Sequence, residues 1–185
     1  MYALINSERK NLSDRNIRGF SIIELMVTIA IAAIVLMLAV PSFTRAIDQG
    51  KFTSASNELI TAMNFARNEA MRRSRPVSVR MNTGGWIDGW TAFVDPDRNG
   101  VIGPPTDLLR AGNATPAVQI TGGAGGLEAN VLFDSRGRRL TNPGAPFVEF
   151  LVHKSGASSD QRRWVCIAEN GRIATVKGAN SCAGA

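Results

Sequence analysis

Histidine occurs once and cysteine twice in this 185-residue chain. That scarcity excludes a metal centre needing several His or Cys ligands and leaves little material for histidine-based acid–base catalysis. The one histidine, His153, lies in Leu151-Val152-His153-Lys154, which reads as a strand end, and no nucleophile–base motif accompanies it. The chain therefore reads as non-enzymatic and without a cofactor. Its length suggests one domain of ordinary size, able to bury a real core without disulfides to rescue it. Hydrophobic residues at 44% and a mean hydropathy near zero match an average soluble protein. The 21 basic against 15 acidic side chains point to an acidic partner such as nucleic acid or a membrane surface.

Charge is missing from one long stretch. Phe20–Val40 spans 21 residues with Glu24 as its only charge, and Ile29–Val40 is wholly apolar. As a helix it would rise about 32 Å, matching a bilayer core of about 30 Å. A buried helix of a soluble protein would show a polar face; this one shows none after Thr28, so it reads as a membrane span. Arg9, Lys10, Arg15 and Arg18 precede it, against Glu8 and Asp14, while Arg45, Asp48 and Lys51 follow. The positive-inside rule then places Met1 in the cytoplasm and Pro41 onward outside. The apolar run is longer than a secretory signal's, roughly 7–15 residues, and no Ala-x-Ala follows it. Glu24 is the anomaly: a carboxylate at lipid depth costs several kcal/mol unless partnered, which makes it a functional candidate. Snorkelling to the headgroups is the plainer alternative.

The residues Arg18-Gly19-Phe20-Ser21-Ile22-Ile23-Glu24-Leu25 resemble the class III signal of type IV pilins and type II secretion pseudopilins. The resemblance implies cleavage by prepilin peptidase between Gly19 and Phe20, N-methylation of Phe20, and pairing of Glu24 with the Phe20 amine of a neighbouring subunit during assembly. It also implies a helix kink at Pro41. The partners it implies are other pilins or pseudopilins, the peptidase and the inner membrane, with the head in the periplasm.

Ser42–Arg73 contains no Pro and no Gly but Gly50. Phe52, Ala55, Leu59, Met63, Ala66 and Ala70 fall three or four apart, the stripe of an amphipathic helix packed as core under a sheet. Arg72, Arg73 and Arg75 crowd its end, favourable to the negative pole of the helix dipole, and read as a cap. Pro76 disfavours helix at Arg75 and ends it.

From Pro76 short strands are expected: Pro76–Met81, Gly89–Val94, Ala117–Thr121, Asn130–Phe133, Phe147–His153, Arg163–Ala168 and Arg172–Val176, punctuated by Gly and Pro. With no helix between them they imply one or two antiparallel sheets. The fold class is α+β, a long N-terminal helix packed on a β-rich head. The ordered pattern Trp86-x-x-Gly89-Trp90-x-x-Phe93-x-Asp95-x-Asp97-x-Asn99-Gly100, then Leu108–Arg110, then Phe133-Asp134-x-x-Gly137 is similar to the GspH/FimT group of minor pilins and pseudopilins. The domains are then a cleaved leader over 1–19, a membrane and filament-core helix over 20–41, and a head over 42–185 with helix 42–73 and β-rich 76–185.

Three constellations remain. Asp95, Asp97 and Asn99 before Gly100 reproduce the opening of a calcium loop. However, Thr106 stands where a bidentate Glu belongs, and an Asx-rich turn is the preferred reading. Cys166 and Cys182, outside the cytoplasm and without other ligands nearby, favour a disulfide. It would pin the C-terminal tail and contribute about 3 kcal/mol. Basic residues gather at Arg136, Arg138 and Arg139, at Arg162 and Arg163, and at Arg172 and Lys177. Some FimT-type proteins bind DNA through a Gly-Arg-x-Arg motif; Gly171-Arg172-Ile173-Ala174 keeps the first Arg and has Ala for the second. DNA binding through Arg172, Lys177, Arg162 and Arg163 stands as a candidate, with solvated surface charge preferred. Removing residues 1–19 would leave 17 basic and 13 acidic side chains, so part of the basicity is an orientation signal and the nucleic-acid argument weakens.

Overall fold

A computed structural model describes residues 19–184 apart from 105–106, 116–117, 124–126, 157 and 179–180. Among the described residues one α-helix, α1 (Ile22–Arg73, 52 residues), precedes eight strands. These are β1 (Val77–Asn82), β2 (Gly85–Val94), β3 (Leu108–Gly112), β4 (Gln119–Gly122), β5 (Asn130–Phe133), β6 (Phe147–His153), β7 (Arg163–Ala168) and β8 (Ile173–Lys177). The α+β class, a long N-terminal helix and a β-rich head, is borne out. The chain divides into two units, one ending at Phe43 and one over Thr44–Ala185.

In the first unit the helix begins at Ile22, two residues later than the apolar run, with Gly19–Ser21 outside it. The Leu25 amide donates to the Ser21 carbonyl at 3.1 Å, and Glu24 lies in the first turn, where the helix dipole favours a carboxylate. The helical assignment is unbroken through Pro41.

In the second unit all six expected stripe residues of α1 are buried, with Ser56 and Ala62 beside them. The helix ends at Arg73, as expected. Ser74 adopts left-handed backbone (φ 52°); its amide donates to Met71 at 3.3 Å and the Arg75 amide to Ala70 at 3.2 Å. That pair of bonds is a Schellman cap, and Pro76 follows it.

Two antiparallel sheets form, in the orders β3-β2-β1-β5 and β4-β6-β7-β8. Residues of α1 and of both sheets, including Leu59, Met63, Val79, Trp90, Phe133, Phe150 and Ile167, join in one buried cluster. Strand β6 alternates, with Val148, Phe150 and Val152 buried. Strand β7 is covered on both faces: Val165 and Ile167 enter the main core, while Trp164 and Cys166 pack with Cys182, Phe147, Leu151 and Val176. The expected strands Asn130–Phe133, Phe147–His153 and Arg163–Ala168 form with those ends. β1 and β8 are shifted by one residue, β2 starts earlier at Gly85, and β4 occupies Gln119–Gly122 instead of Ala117–Thr121, with Ala117 outside the described residues. Strand β3 was not expected, because its face is largely solvated and carries no alternation.

Candidate assembly and interaction sites

Gly19 and Phe20 are exposed and non-helical, so the peptide bond joining them lies ahead of α1. Glu24 is exposed in the first turn of the helix. The large apolar side chains from Ile22 to Phe43 are also exposed, Ile22 at 80% and Val27 at 50%. The helix contains an apolar stretch long enough to cross a bilayer, with mean hydropathy 2.7 and none of it buried. A surface of this size and polarity requires lipid or other helices around it.

The Asp95 turn is closed by its own protein donors. One Asp95 carboxylate oxygen accepts the Ser78 hydroxyl at 2.6 Å and the Gly100 amide at 3.0 Å. The other accepts the Asn99 amide at 3.1 Å. Asp97 accepts the Asn99 side-chain amide at 2.5 Å, and Asn99 Oδ1 accepts the Val101 amide at 2.7 Å. Asp95 is fully buried, so its oxygens, Asp97 and Asn99 build an Asx-type turn rather than converging on one point. Among the described residues no cluster of three or more potential metal ligands forms.

Cys166 and Cys182 are joined in a disulfide with Cα atoms 5.7 Å apart. Both are fully buried, and the Cys182 amide donates to Glu149 Oε1 at 3.0 Å. The tail is thereby fastened over the outer face of β7. His153 is the register partner of Gln119 across the β4–β6 ladder, and its Nε2 lies 3.3 Å from Oγ1 of Thr121, two residues along β4.

The four candidate DNA-contacting cations do not form one patch. Arg163 and Lys177 are register partners across β7 and β8, and the Arg162 carbonyl accepts the Gly178 amide at 3.1 Å. Arg172 sits at the other end of β8, in the turn where its amide donates to Asn170 Oδ1. The strand separates it from Lys177 by about 17 Å.

The Arg136, Arg138 and Arg139 cluster is not uniformly solvated surface, which corrects the sequence reading. Arg139 is 2% exposed. Its guanidinium donates to the carbonyls of Thr141, Asn142 (3.0 Å) and Ala145 (2.5 Å), closing the loop before β6, while Nε has no hydrogen-bond partner among the described residues. Burial pushes its pKa down, against the opposing charges of Glu169 and Glu128. Burial pushes the Asp134 carboxyl up, but the amides of Arg138 and Arg136 and the Arg138 guanidinium outweigh it and hold it below its ordinary value.

Arg72 and Arg73 lie in the last turn of α1, as expected, and also make contacts within the helix. Both grip Glu69, with guanidinium–carboxylate distances of 2.6–2.9 Å, and they lower its pKa to about 2. The signal was available as the three- and four-residue spacings.

A junction that the sequence reading missed ties the head together. Arg67 Nε donates to the Gly137 carbonyl at 3.0 Å. Gly137 and Gly171 both have left-handed backbone, φ 75° and 80°. A Cβ on Gly171 would lie 1.9 Å from the Gly137 carbonyl oxygen and 2.8 Å from Arg67 Nε. Two turns and the helix meet here with space for glycine alone. A second contact, Trp90 Nε1 to Glu58 at 3.1 Å, ties β2 to α1, and Arg110 lies over the rings of Phe65 and Trp90 at 5.5 and 5.8 Å.

The family model described as type II transport protein GspH matches residues 55–171. The prokaryotic N-terminal methylation motif matches residues 14–40. Two crystal structures of the type IV minor pilin FimU of Pseudomonas aeruginosa PAO1 have similar folds. One has a TM-score of 0.58 at 21% identity, over 72% of this chain and 94% of that one. The other has a TM-score of 0.56 at 20% identity, over 71% and 97%. No curated protein matches the chain.

Proposed function

We propose that this chain, which belongs to the GspH family of pilin-like proteins, is a minor pilin that joins or primes a type IV pilus. The observation that carries the proposal is the Arg18–Leu25 signal leading into an apolar helix half with no buried residue. In this reading residues 1–19 are a leader, removed by prepilin peptidase between Gly19 and Phe20, and Phe20 is then N-methylated. Residues 20–41 anchor the subunit in the inner membrane and later line the filament core, with a kink at Pro41. The head, 42–185, lies in the periplasm.

Glu24 supplies the assembly chemistry. A carboxylate and an ammonium buried separately are each costly, and bringing them together offsets much of that cost. Glu24 of one subunit set against the Phe20 amine of the next therefore favours a single register. The exposed position of Glu24 one turn from the mature N-terminus suits an intermolecular partner. Glu24→Ala is expected to leave membrane insertion and leader removal intact while reducing recovery in sheared pili at least tenfold. Recovery at wild-type levels would overturn the proposed role.

A second reading, a minor pseudopilin of a type II secretion system, is favoured by the description of the matching family model. It shares every step above and differs in the machine. Deleting the chain abolishes pilus-dependent motility in the first case and export of secreted enzymes in the second. A pilus-borne DNA receptor is a third reading; the separation of Arg172 from Arg162, Arg163 and Lys177 gives it no single phosphate-tracking surface.

A further inference from the structure

One end of the second sheet gathers positive charge. Its strand ends converge there: β6 stops at His153, β7 starts at Arg163 and β8 stops at Lys177. Lys154 follows β6, and Arg162 precedes β7. The first turns of the head's helical segment lie against this end. Lys154 Nζ is 3.0 Å from Asp48 Oδ2, and Lys51 is 3.7 Å from the other oxygen of the same carboxylate. A polar cleft of about 490 Å³, lined by Thr44, Arg45, Asp48, Gln49, Ser158 and Asp160 among others, opens beside them. The Ser158 hydrogen bond, then the charges of Lys177 and Arg45, hold Asp160 below the ordinary carboxylate range.

Arg45, Lys51, Lys154, Arg162, Arg163 and Lys177 thus share one rim with two carboxylates, Asp48 and Asp160. Asp48 is already engaged by Lys154 and Lys51. The rim carries a surplus of cations, and Arg45, Lys51, Arg162 and Lys177 are exposed.

The position of the rim along the chain identifies its partner. Arg45 follows Val40, the last residue of the apolar run, by five residues. Five residues reach no further than about 18 Å even when fully extended. The headgroup layer on each side of a bilayer core is several ångströms deep. With 20–41 in the membrane, Arg45 is held at or just beyond the phosphates, and the rim residues around Asp160 are held near it. Clusters of four to eight Lys or Arg beside a membrane span have the chemistry that attracts anionic headgroups.

We propose that this rim binds anionic phospholipid headgroups and holds the head against the membrane before the subunit enters a filament. The inference rests on reading residues 20–41 as a membrane anchor. It gives three of the four candidate DNA-contacting cations a lipid partner and leaves Arg172 out. Extraction of the subunit into a filament would exchange these lipid contacts for subunit contacts.

The full chain is reconstituted into nanodiscs of phosphatidylcholine, with or without phosphatidylglycerol. Acylation rates of Lys154 and Lys177 are read by mass spectrometry. Phosphatidylglycerol is expected to slow both by threefold or more, and high salt is expected to remove the difference. In the double variant Arg162→Glu, Lys177→Glu, protection of Lys154 is expected to be lost while the Cys166–Cys182 disulfide and the thermal transition are kept. If that variant misfolds, Arg162→Glu alone, read at both lysines, replaces it. Equal acylation in the two kinds of disc, with the chain inserted in both, overturns the lipid role alone. Failure of the chain to enter either disc overturns the anchor reading and the rim with it. Protection by duplex DNA at physiological salt without protection by phosphatidylglycerol makes the rim a nucleic-acid surface and also overturns the proposal.

Discussion

Residues 22–43 and 44–73 belong to one unbroken helix, yet they solve the burial problem in opposite ways. Every residue of the first stretch is exposed, and its surface is almost wholly apolar. The second stretch turns Phe52, Ala55, Leu59, Ala62, Met63, Ala66 and Ala70 into a core made with its own two sheets. Helix propensity alone distinguishes them poorly, since both are rich in good helix formers. The difference lies in where each finds a partner: the second within the same chain, the first in lipid or in other helices. In the proposed reading, such a subunit completes its head within its own chain and leaves its apolar half to the membrane and the filament.

The comparison breaks most severely where the head grips the second stretch. Gly171→Val puts a branched side chain on left-handed backbone, which already costs a Cβ-bearing residue roughly 1–2 kcal/mol. The added atoms would also strike the Gly137 carbonyl and Arg67, and overpacking typically adds 1–3 kcal/mol. A loss of about 4 kcal/mol is expected in urea unfolding of the detergent-solubilised chain, followed by tryptophan fluorescence. A loss below about 1 kcal/mol would show that the two turns and the helix are not tightly joined.

A matched pair sharpens the contrast next. Met63 is fully buried, and Leu36 is 59% exposed. Met63→Ala is expected to cost about 3 kcal/mol in head unfolding, because it removes buried atoms and leaves a cavity. Leu36→Ala, measured the same way, is expected to change it by less than about 0.5 kcal/mol. Equal losses would mean that the first stretch contributes to the head's stability after all.

The two stretches also differed in how much their residues disclosed. The first could be read almost completely, because a 21-residue run with one charge admits few physical solutions and its signal is contiguous. The stripe of the second was equally plain, since period 3.6 is a local property of the chain. Most strands were visible through alternation and turn residues. Strand β3 was not, because Leu108–Gly112 is an edge strand with little buried surface. Nor could the buried state of Arg139 be seen. Its partners are carbonyls of a loop whose path depends on left-handed backbone at Asn142 and Gly144, and no spacing in the sequence encodes that path. The Arg67–Gly137–Gly171 junction is invisible for the same reason: it joins three segments far apart in the chain. The basic residues show the limit most clearly. Arg172 and Lys177 are near neighbours in sequence, but an intervening strand carries them to opposite ends of the sheet.

The smallest effect expected within the second stretch lies at its end, where Glu69 is held by Arg72 and Arg73. Its folded pKa of about 2 lies below the ordinary glutamate value of 4.5, with hydrogen bonds from Arg72 and then Arg73 as the main causes. A depressed carboxylate stabilises the fold fully above its unfolded pKa and loses that contribution as pH falls toward the folded value. The window is therefore about pH 4.5 down to about 2. Arg72 and Arg73 are 64% and 39% exposed, so solvent screening limits the contribution to about 1 kcal/mol, well below what the shift alone would suggest. Glu69→Gln keeps the side-chain shape and removes the charge. Wild type is expected to be more stable than Glu69→Gln by about 1 kcal/mol at pH 7. The difference is expected to shrink as pH falls below about 4 and to shrink at neutral pH when salt is added. Because Asp134 and the other carboxylates are common to both proteins, their titration cancels in the difference. A gap that stayed constant from pH 7 to pH 3 would mean that Glu69 acts through packing rather than charge. The end of α1 would then be held by its Schellman cap and buried stripe alone.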